Sequence, residues 1–457
     1  MNIDDQNNNQ HAITRRHVVS GSLGLTAALA AGAAGAAGAA AAAPAGKRMV
    51  PAAGTFLWGT ASSAHQIEGN NVNSDFWLAE NVKPTLFREP SGDACDSYHR
   101  YDEDAALAAK LGFNAHRIGI EWARIEPEPG VFSEAELDHY VRVLESCHKH
   151  GLAPMVTLSH WTVPRWFAAR GGFEQVDSPA QFERFAQKVA ERLGPLMSAA
   201  TTFNECNIGR LAQFLFHLDT PEAKAGVKAM LDACAKASGS DRFANVLLSD
   251  LAKSEAHMVE AHRRAVAALK AGPGDFPVGL TISMQAIEGV GPYNKASAVS
   301  DLLYGPWLDA AKVCDFVGVQ TYTRIRVGAQ GPLPPPEDAE KTGAGYEFYP
   351  QAVGNTVRFA AEKIGKPIYV TENGIATDDD TRRVAYIDGA LAALQKAKAD
   401  GVDVRGYFHW SLLDNFEWTA GYAQKFGLVA VDRKTFVRTP KPSARHLGAI
   451  AKQRRTL

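Results

Sequence analysis

The chain has 457 residues, a formal net charge of −2, 46% hydrophobic residues and 21% charged residues. This is an ordinary composition for a soluble globular protein. The near-neutral balance supplies no field to hold a phosphate polymer or an anionic membrane, so nucleic acid and membrane surfaces are not expected partners.

At the N-terminus, Thr14-Arg15-Arg16-His17-Val18-Val19 opens a run of small and apolar residues that lasts to Ala43. Ala43-Pro44-Ala45 then offers a small-x-small cleavage site before Gly46. The pattern predicts a twin-arginine export signal over residues 1–45 and a mature chain of residues 46–457, periplasmic or secreted from a bacterium. The run is Ala/Gly-rich and only mildly apolar, which suits export rather than a permanent anchor. A flexible Ala-rich tail is the alternative.

Beyond the signal, short apolar runs alternate with helical patterns. Strands are predicted at 56–60, 115–120, 153–158, 201–204, 278–283, 316–320, 368–371 and 404–410. Helices are predicted at 102–111, 134–150, 180–193, 251–271, 353–364, 381–399 and 443–452, many with apolar residues at i, i+3 and i+4. Eight strands apolar on both faces, alternating with helices, imply one closed parallel (β/α)8 TIM barrel over residues 46–457, with elaborated loops at its C-terminal face. A two-domain doubly wound chain is the alternative, but no linker or composition break interrupts that span. The Pro-rich stretch 331–336 reads as a long surface loop. Five scattered cysteines (Cys95, Cys147, Cys206, Cys234, Cys314) form no CxxC pair, and no His/Glu/Asp cluster has metal-ligand spacing. No metal or organic cofactor is expected, and the thiols are expected to be mostly reduced and partly buried.

In such a barrel, functional side chains collect at the C-terminal ends of the strands. Two predicted strands end on acids, in Thr202-Phe203-Asn204-Glu205 and in Val370-Thr371-Glu372-Asn373-Gly374. An unpaired acid is costly to bury, so an acid at a strand end is presented to a cleft. Two such acids, each beside an Asn, make a candidate carboxylate pair of the kind that breaks glycosidic bonds. Arg117, His160-Trp161 and Trp410 fall at other strand ends, and Trp410 leads to Asp414-Asn415-Phe416-Glu417-Trp418. Flat indole faces beside polar groups suit a sugar, whose C–H faces pack on a π-surface while its hydroxyls need donors and acceptors.

In this order the motifs are recognisable. Phe56-Leu57-Trp58-Gly59-Thr60-Ala61 leads to Gln66-Ile67-Glu68-Gly69. Arg117 precedes Trp122-Ala123-Arg124-Ile125, and Thr157-Leu158-Ser159-His160-Trp161 follows. Then come the two acid motifs, the Trp410–Trp418 stretch and Phe426-Gly427-Leu428. The chain resembles glycoside hydrolase family 1, the β-glucosidase family, over essentially all of residues 46–457. The resemblance implies a retaining β-glycosidase that removes terminal β-glucosyl units from small glycosides or oligosaccharides. A β-galactosidase or β-fucosidase, a transglycosylase, or a sugar-binding protein without catalysis are the alternatives. It implies Glu205 as general acid/base and Glu372 as nucleophile, with Arg117 beside Glu372 and Tyr322 hydrogen-bonded to it. Gln66, His160, Trp161, Asn204, Trp410, Glu417 and Trp418 would hold the sugar. Each role has a plain structural alternative: Arg117 as an ion-pair partner, His160 as a satisfied core histidine, Tyr322 as packing, Trp410 as barrel core.

Glu205 keeps the acid that thioglucoside-cleaving relatives dispense with, which favours O-glycosides. Glu417 would repel a 6-phosphate and accept hydrogen bonds from sugar hydroxyls instead. The chain departs from the family pattern at His65 (usually Tyr or Phe), Gly119 (Ser), Thr162 (Asp), Cys206 (Pro) and Gln320 (Asn). Residues 207–251 read as Ala/Lys/Leu-rich helix where a Gly-rich loop is usual.

Overall fold

The eight apolar runs close into a parallel barrel. The computed structural model of the chain describes residues 54–216 and 220–453, so the predicted export signal lies outside the described residues. The barrel strands are β1 (Leu57–Ala61), β2 (Ala115–Gly119), β3 (Ala153–Ser159), β4 (Ala199–Phe203), β5 (Val278–Ser283), β6 (Phe316–Gln320), β7 (Ile368–Asn373) and β8 (Val404–Trp410). Each pairs in parallel with its sequence neighbours, and β8 closes on β1 through Leu57 opposite Gly406 and Ala61 opposite Trp410. The strands are buried on both faces, which is why they read as continuous apolar runs.

The helices form where the period predicts them. Ser178–Leu193 buries Phe182, Phe185, Ala186, Val189, Ala190 and Leu193 along one face. Glu134–Lys149 starts at Ser133, whose hydroxyl accepts from the Glu136 amide at 3.3 Å. The atypical segment forms the helices Ile208–Phe216 and Pro221–Ser238. The second starts with Thr220 as cap and Pro221 in its first turn, and ends at Gly239, whose φ of +66° is the left-handed stop that glycine takes without strain.

One stretch corrects the sequence reading. Gly331–Leu333 is not free loop: it pairs antiparallel with Arg324–Gly328, which pairs in parallel with Ala286–Gly289. Pro332 is accommodated because Gly331–Leu333 lies at the edge of this three-stranded sheet, where a missing N–H costs no ladder bond. All five cysteines are buried and free, and burial pushes the Cys95, Cys147, Cys234 and Cys314 thiols up to about 12.

The strand that ends on Glu372 is irregular. Val370 faces Val319 and Glu372 faces Gln320, while on the other side Val370 faces Tyr407 and Asn373 faces His409. Thus β7 carries one residue more than either neighbour at this point. A bulge of this kind turns the following side chains by one position, and Glu372 is thereby aimed into the barrel mouth. Gly374 completes the turn. A Cβ there would lie 2.0 Å from the Trp410 carbonyl oxygen, so only glycine lets β7 pass that close to the end of β8. Gly374→Ala is expected to lower the unfolding free energy by about 1–3 kcal/mol. Urea unfolding of the variant beside the wild type measures it, and equal stability would refute the steric account.

Candidate active site

The C-terminal mouth of the barrel brings Arg117, Asn204, Tyr322 and Glu372 into contact. At its centre is Arg117, on β2 and fully buried. Its Nη1 donates to Glu372 Oε1 at 2.7 Å and its Nη2 donates to Asn204 Oδ1 at 2.6 Å. The Tyr322 hydroxyl, just past β6, donates to Glu372 Oε2 at 2.6 Å. Both oxygens of Glu372 are therefore held. Burial raises the Glu372 carboxyl, while the Arg117 charge and the hydrogen bonds from Tyr322 and Arg117 hold that rise down. The structure thus sets Arg117 and Tyr322 against Glu372, where their contacts oppose the rise that burial of Glu372 itself causes.

Glu205 follows β4 in a left-handed backbone conformation with φ +43°, unusual for a residue with a side chain. Its amide donates to the Thr281 hydroxyl at 3.0 Å, and its carbonyl accepts from Ile208 at the start of the next helix. Burial and then the charge of Glu372 push its carboxyl up to about 8, against the opposing pull of a Ser283 hydrogen bond and Arg117. At neutral pH Glu205 carries a proton. The two acids thus have unequal environments, one held by a buried cation and one without such a contact.

Around them lies a set of unmet hydrogen-bonding groups. Gln66 spends its Nε2 on the Phe416 carbonyl at 2.7 Å, which leaves Oε1 buried and without a partner. Asn204 Nδ2, His160 Nδ1, Trp161 Nε1 and Glu417 Oε1 are likewise buried and unpartnered among the described residues. Leaving such groups unpaired costs about 1–3 kcal/mol each, a cost that a polyhydroxylated ligand removes. Burial keeps His160 neutral, helped by the charges of Arg117 and His65, and with Nδ1 unpartnered among the described residues it is not a satisfied core histidine. Burial pushes Glu417 well above the usual carboxylate range; the Glu372 charge adds to this, and a hydrogen bond from Trp410 opposes it. His160 stacks on Trp410 at 5.6 Å, and Trp418 packs on Trp161 at 4.8 Å. Trp161 and Trp418 also adopt positive φ, +71° and +50°. Donors, acceptors and indole plates in one buried mouth suit a polyhydroxylated ligand.

Most of the departures from the family pattern have a local account. His65 Nε2 pairs with Glu80 Oε1 at 2.7 Å, and its ring lies parallel to Trp418, 5.6 Å away with an interplanar angle of 2°. Thr162 donates to both Glu121 oxygens at 3.0 and 2.9 Å. The Cys206 amide donates to the Thr281 carbonyl, a bond that proline could not make. A Cβ at Gly119 would lie 2.9 Å from the Ala64 amide nitrogen, tighter than ordinary contact. The sequence reading missed Tyr346. It stands on a loop tied to the barrel by Gly343 N–H donating to the Ala376 carbonyl at 2.7 Å. Burial, then the charges of Glu205 and Glu417, push its phenol up to about 12. No local pattern marks it. Among the described residues, no group of three or more His, Cys, Asp or Glu side chains is arranged to hold a metal ion.

Comparison with known proteins agrees with this geometry. The model of glycosyl hydrolase family 1 matches residues 50–301 and 316–456. The chain belongs to glycosyl hydrolase family 1. A β-glucosidase of Agrobacterium sp. (strain ATCC 21400) is 31% identical over 437 residues, covering 87% of this chain and 95% of that protein. A β-galactosidase of Pyrococcus woesei is 28% identical, covering 84% of this chain and 94% of that one. The solved apo structure of a β-glucosidase designated 1317 superposes with a TM-score of 0.84 at 50% identity, covering 87% of this chain and 98% of that chain. This family 1 chain is a β-glycosidase enzyme.

Because the charge of Glu372 raises Glu205, removing it should let Glu205 ionise more easily. In Glu372→Gln, the Glu205 carboxyl carbon is expected to titrate at lower pH than in the wild type when both are followed by NMR of 13C-labelled glutamate. An unchanged or higher midpoint would show that the two carboxylates do not couple.

Proposed function

We propose that this family 1 glycosidase is a retaining enzyme that removes terminal β-glucosyl units from small glycosides or oligosaccharides, with Glu372 as nucleophile and Glu205 as acid/base. The observation that carries the reading is the asymmetry between the acids: Glu372 is gripped by Arg117 and Tyr322, and Glu205 is raised to about 8. In the first step a Glu372 oxygen attacks the anomeric carbon while the glycosidic C–O bond breaks. The leaving oxygen takes the proton of Glu205. The product is a glycosyl ester on Glu372, in which that carboxylate no longer carries a charge. Losing that charge removes one of the causes that raise Glu205, so the deprotonated Glu205 now acts as base. It draws a proton from water, the water oxygen bonds to the anomeric carbon, and Glu372 leaves as a carboxylate.

Asn204 Nδ2 would donate to the sugar 2-hydroxyl. Gln66, His160, Trp161 and Glu417 would take the remaining hydroxyls, with Trp410 and Trp418 as the apolar plates. The unpaired Glu417 Oε1 is free to pair with a sugar hydroxyl. Glucose and galactose differ at one hydroxyl, and the galactosidase relative keeps a β-galactoside as the competing substrate. Export by the twin-arginine route, with residues 1–45 removed, belongs to the same reading and rests on Arg15-Arg16 and the Ala43-Pro44-Ala45 site.

Release of nitrophenol from aryl β-glucoside, β-galactoside, β-fucoside, β-xyloside and α-glucoside tests the reaction. The wild type is expected to prefer the β-glucoside, and Glu372→Ala to lose about 10³-fold or more in kcat. Comparable turnover by that variant would remove Glu372 from the nucleophile role, and preference for another β-glycoside would rename the substrate. For export, Arg15→Lys with Arg16→Lys is expected to leave the protein in the cytoplasmic fraction, starting upstream of Gly46. Unchanged export of the double variant would refute the signal.

A further inference from the structure

Gln320 ends β6, is fully buried, and faces Ser283 on one side and Glu372 on the other. Its Nε2 donates to Asn204 Oδ1 at 2.8 Å. The orientation of both amides follows from chemistry. A guanidinium only donates, so the Asn204 atom facing Arg117 Nη2 at 2.6 Å must be the oxygen. That oxygen only accepts, so the Gln320 atom facing it must be the NH2. Asn204 Oδ1 is thereby held by two donors, and Asn204 Nδ2 is left buried, unpartnered and available to donate. The relay ends at Gln320 Oε1, which is also buried and without a partner among the described residues.

We propose that Gln320 is a positioning residue that locks the Asn204 amide with its donor toward the sugar, and so sets the demand for a hydrogen-bond acceptor at the sugar 2-position. The inference rests on the reading of Glu205 and Glu372 as the reacting acids. Arg117 alone fixes which end of the amide faces it, through a single contact about which the amide plane can still turn. The second donor, from the opposite side of the barrel mouth, removes that freedom. Gln320 stands outside direct sugar contact in this scheme and acts through Asn204. Its effect is therefore confined to substrates that carry a 2-hydroxyl, whose hydrogen bond strengthens as the transition state forms.

The test compares kcat/KM on the aryl β-glycoside that the wild type turns over and on its 2-deoxy counterpart. Gln320→Met keeps the volume and removes the donor. It is expected to lose about 10-fold on the parent glycoside, mainly in kcat, and to leave the 2-deoxy substrate within about 2-fold. Gln320→Glu keeps the shape and turns a carboxylate oxygen toward Asn204 Oδ1, so its selective loss on the parent glycoside should be larger still. Equal losses on both substrates, in whichever variant folds, would overturn the proposal, because a residue that only packs the barrel lowers both alike. If the wild type turns over the parent glycoside, failure of the selectivity leaves the catalytic reading standing. If it turns over no glycoside, the catalytic reading falls first and this proposal with it.

Discussion

The site depends on one buried cation. A guanidinium cannot shed its charge, so Arg117, fully buried on β2, must be met by acceptors or it would not stay inside. The acceptors come from two other strand ends: Glu372 on β7 and Asn204 beyond β4. Three of the eight strands are thus tied at their C-terminal ends by a single side chain. The same contacts that compensate the cation also orient the carboxylate and the amide that face the mouth. Structural and chemical requirements coincide there: the ion pair that compensates Arg117 also orients Glu372.

The electrostatics of the mouth follow from that asymmetry. Glu205 and Glu372 are the same residue type at equivalent positions in the barrel, yet one sits against the cation and the other does not. Burial acts on both, so the difference comes from the partners. A carboxyl that is protonated at neutral pH beside one held by a cation is the arrangement needed to deliver a proton on one side of a bond and electrons on the other. Around the pair, the unpartnered atoms of Gln66, Asn204, His160, Trp161 and Glu417 form the matching surface.

Several positions where the chain departs from its family are compensated nearby. The Thr162 hydroxyl satisfies Glu121, and His65 is hydrogen-bonded to Glu80, which also accepts from the Ser91 amide and hydroxyl. The His65–Trp418 stack and the Gln320–Asn204 hydrogen bond both reach side chains of the mouth from behind.

The eight strands and the main helices were legible because burial on both faces writes a continuous apolar run, and burial on one face writes the 3.6-residue period. Glu205 and Glu372 were legible because a lone acid at the end of an apolar run has no reading in a dry core. The small sheet of Ala286–Gly289, Arg324–Gly328 and Gly331–Leu333 was missed, although Arg324-Ile325-Arg326-Val327 alternates as a half-buried strand should. The prolines after Gly331 masked an edge strand. Tyr346, and the roles of Gln320 and His65, were not legible at all. Their partners are remote in the chain, 116 residues away for Gln320 and 15 for the His65–Glu80 pair. By itself the sequence determined the barrel, the family and the two acids, since each is written in local pattern and in motifs. Only the tertiary structure decided which atoms of the surrounding side chains meet and which amide atoms remain free, because hydrogen-bond direction depends on what the folded chain brings within about 3 Å.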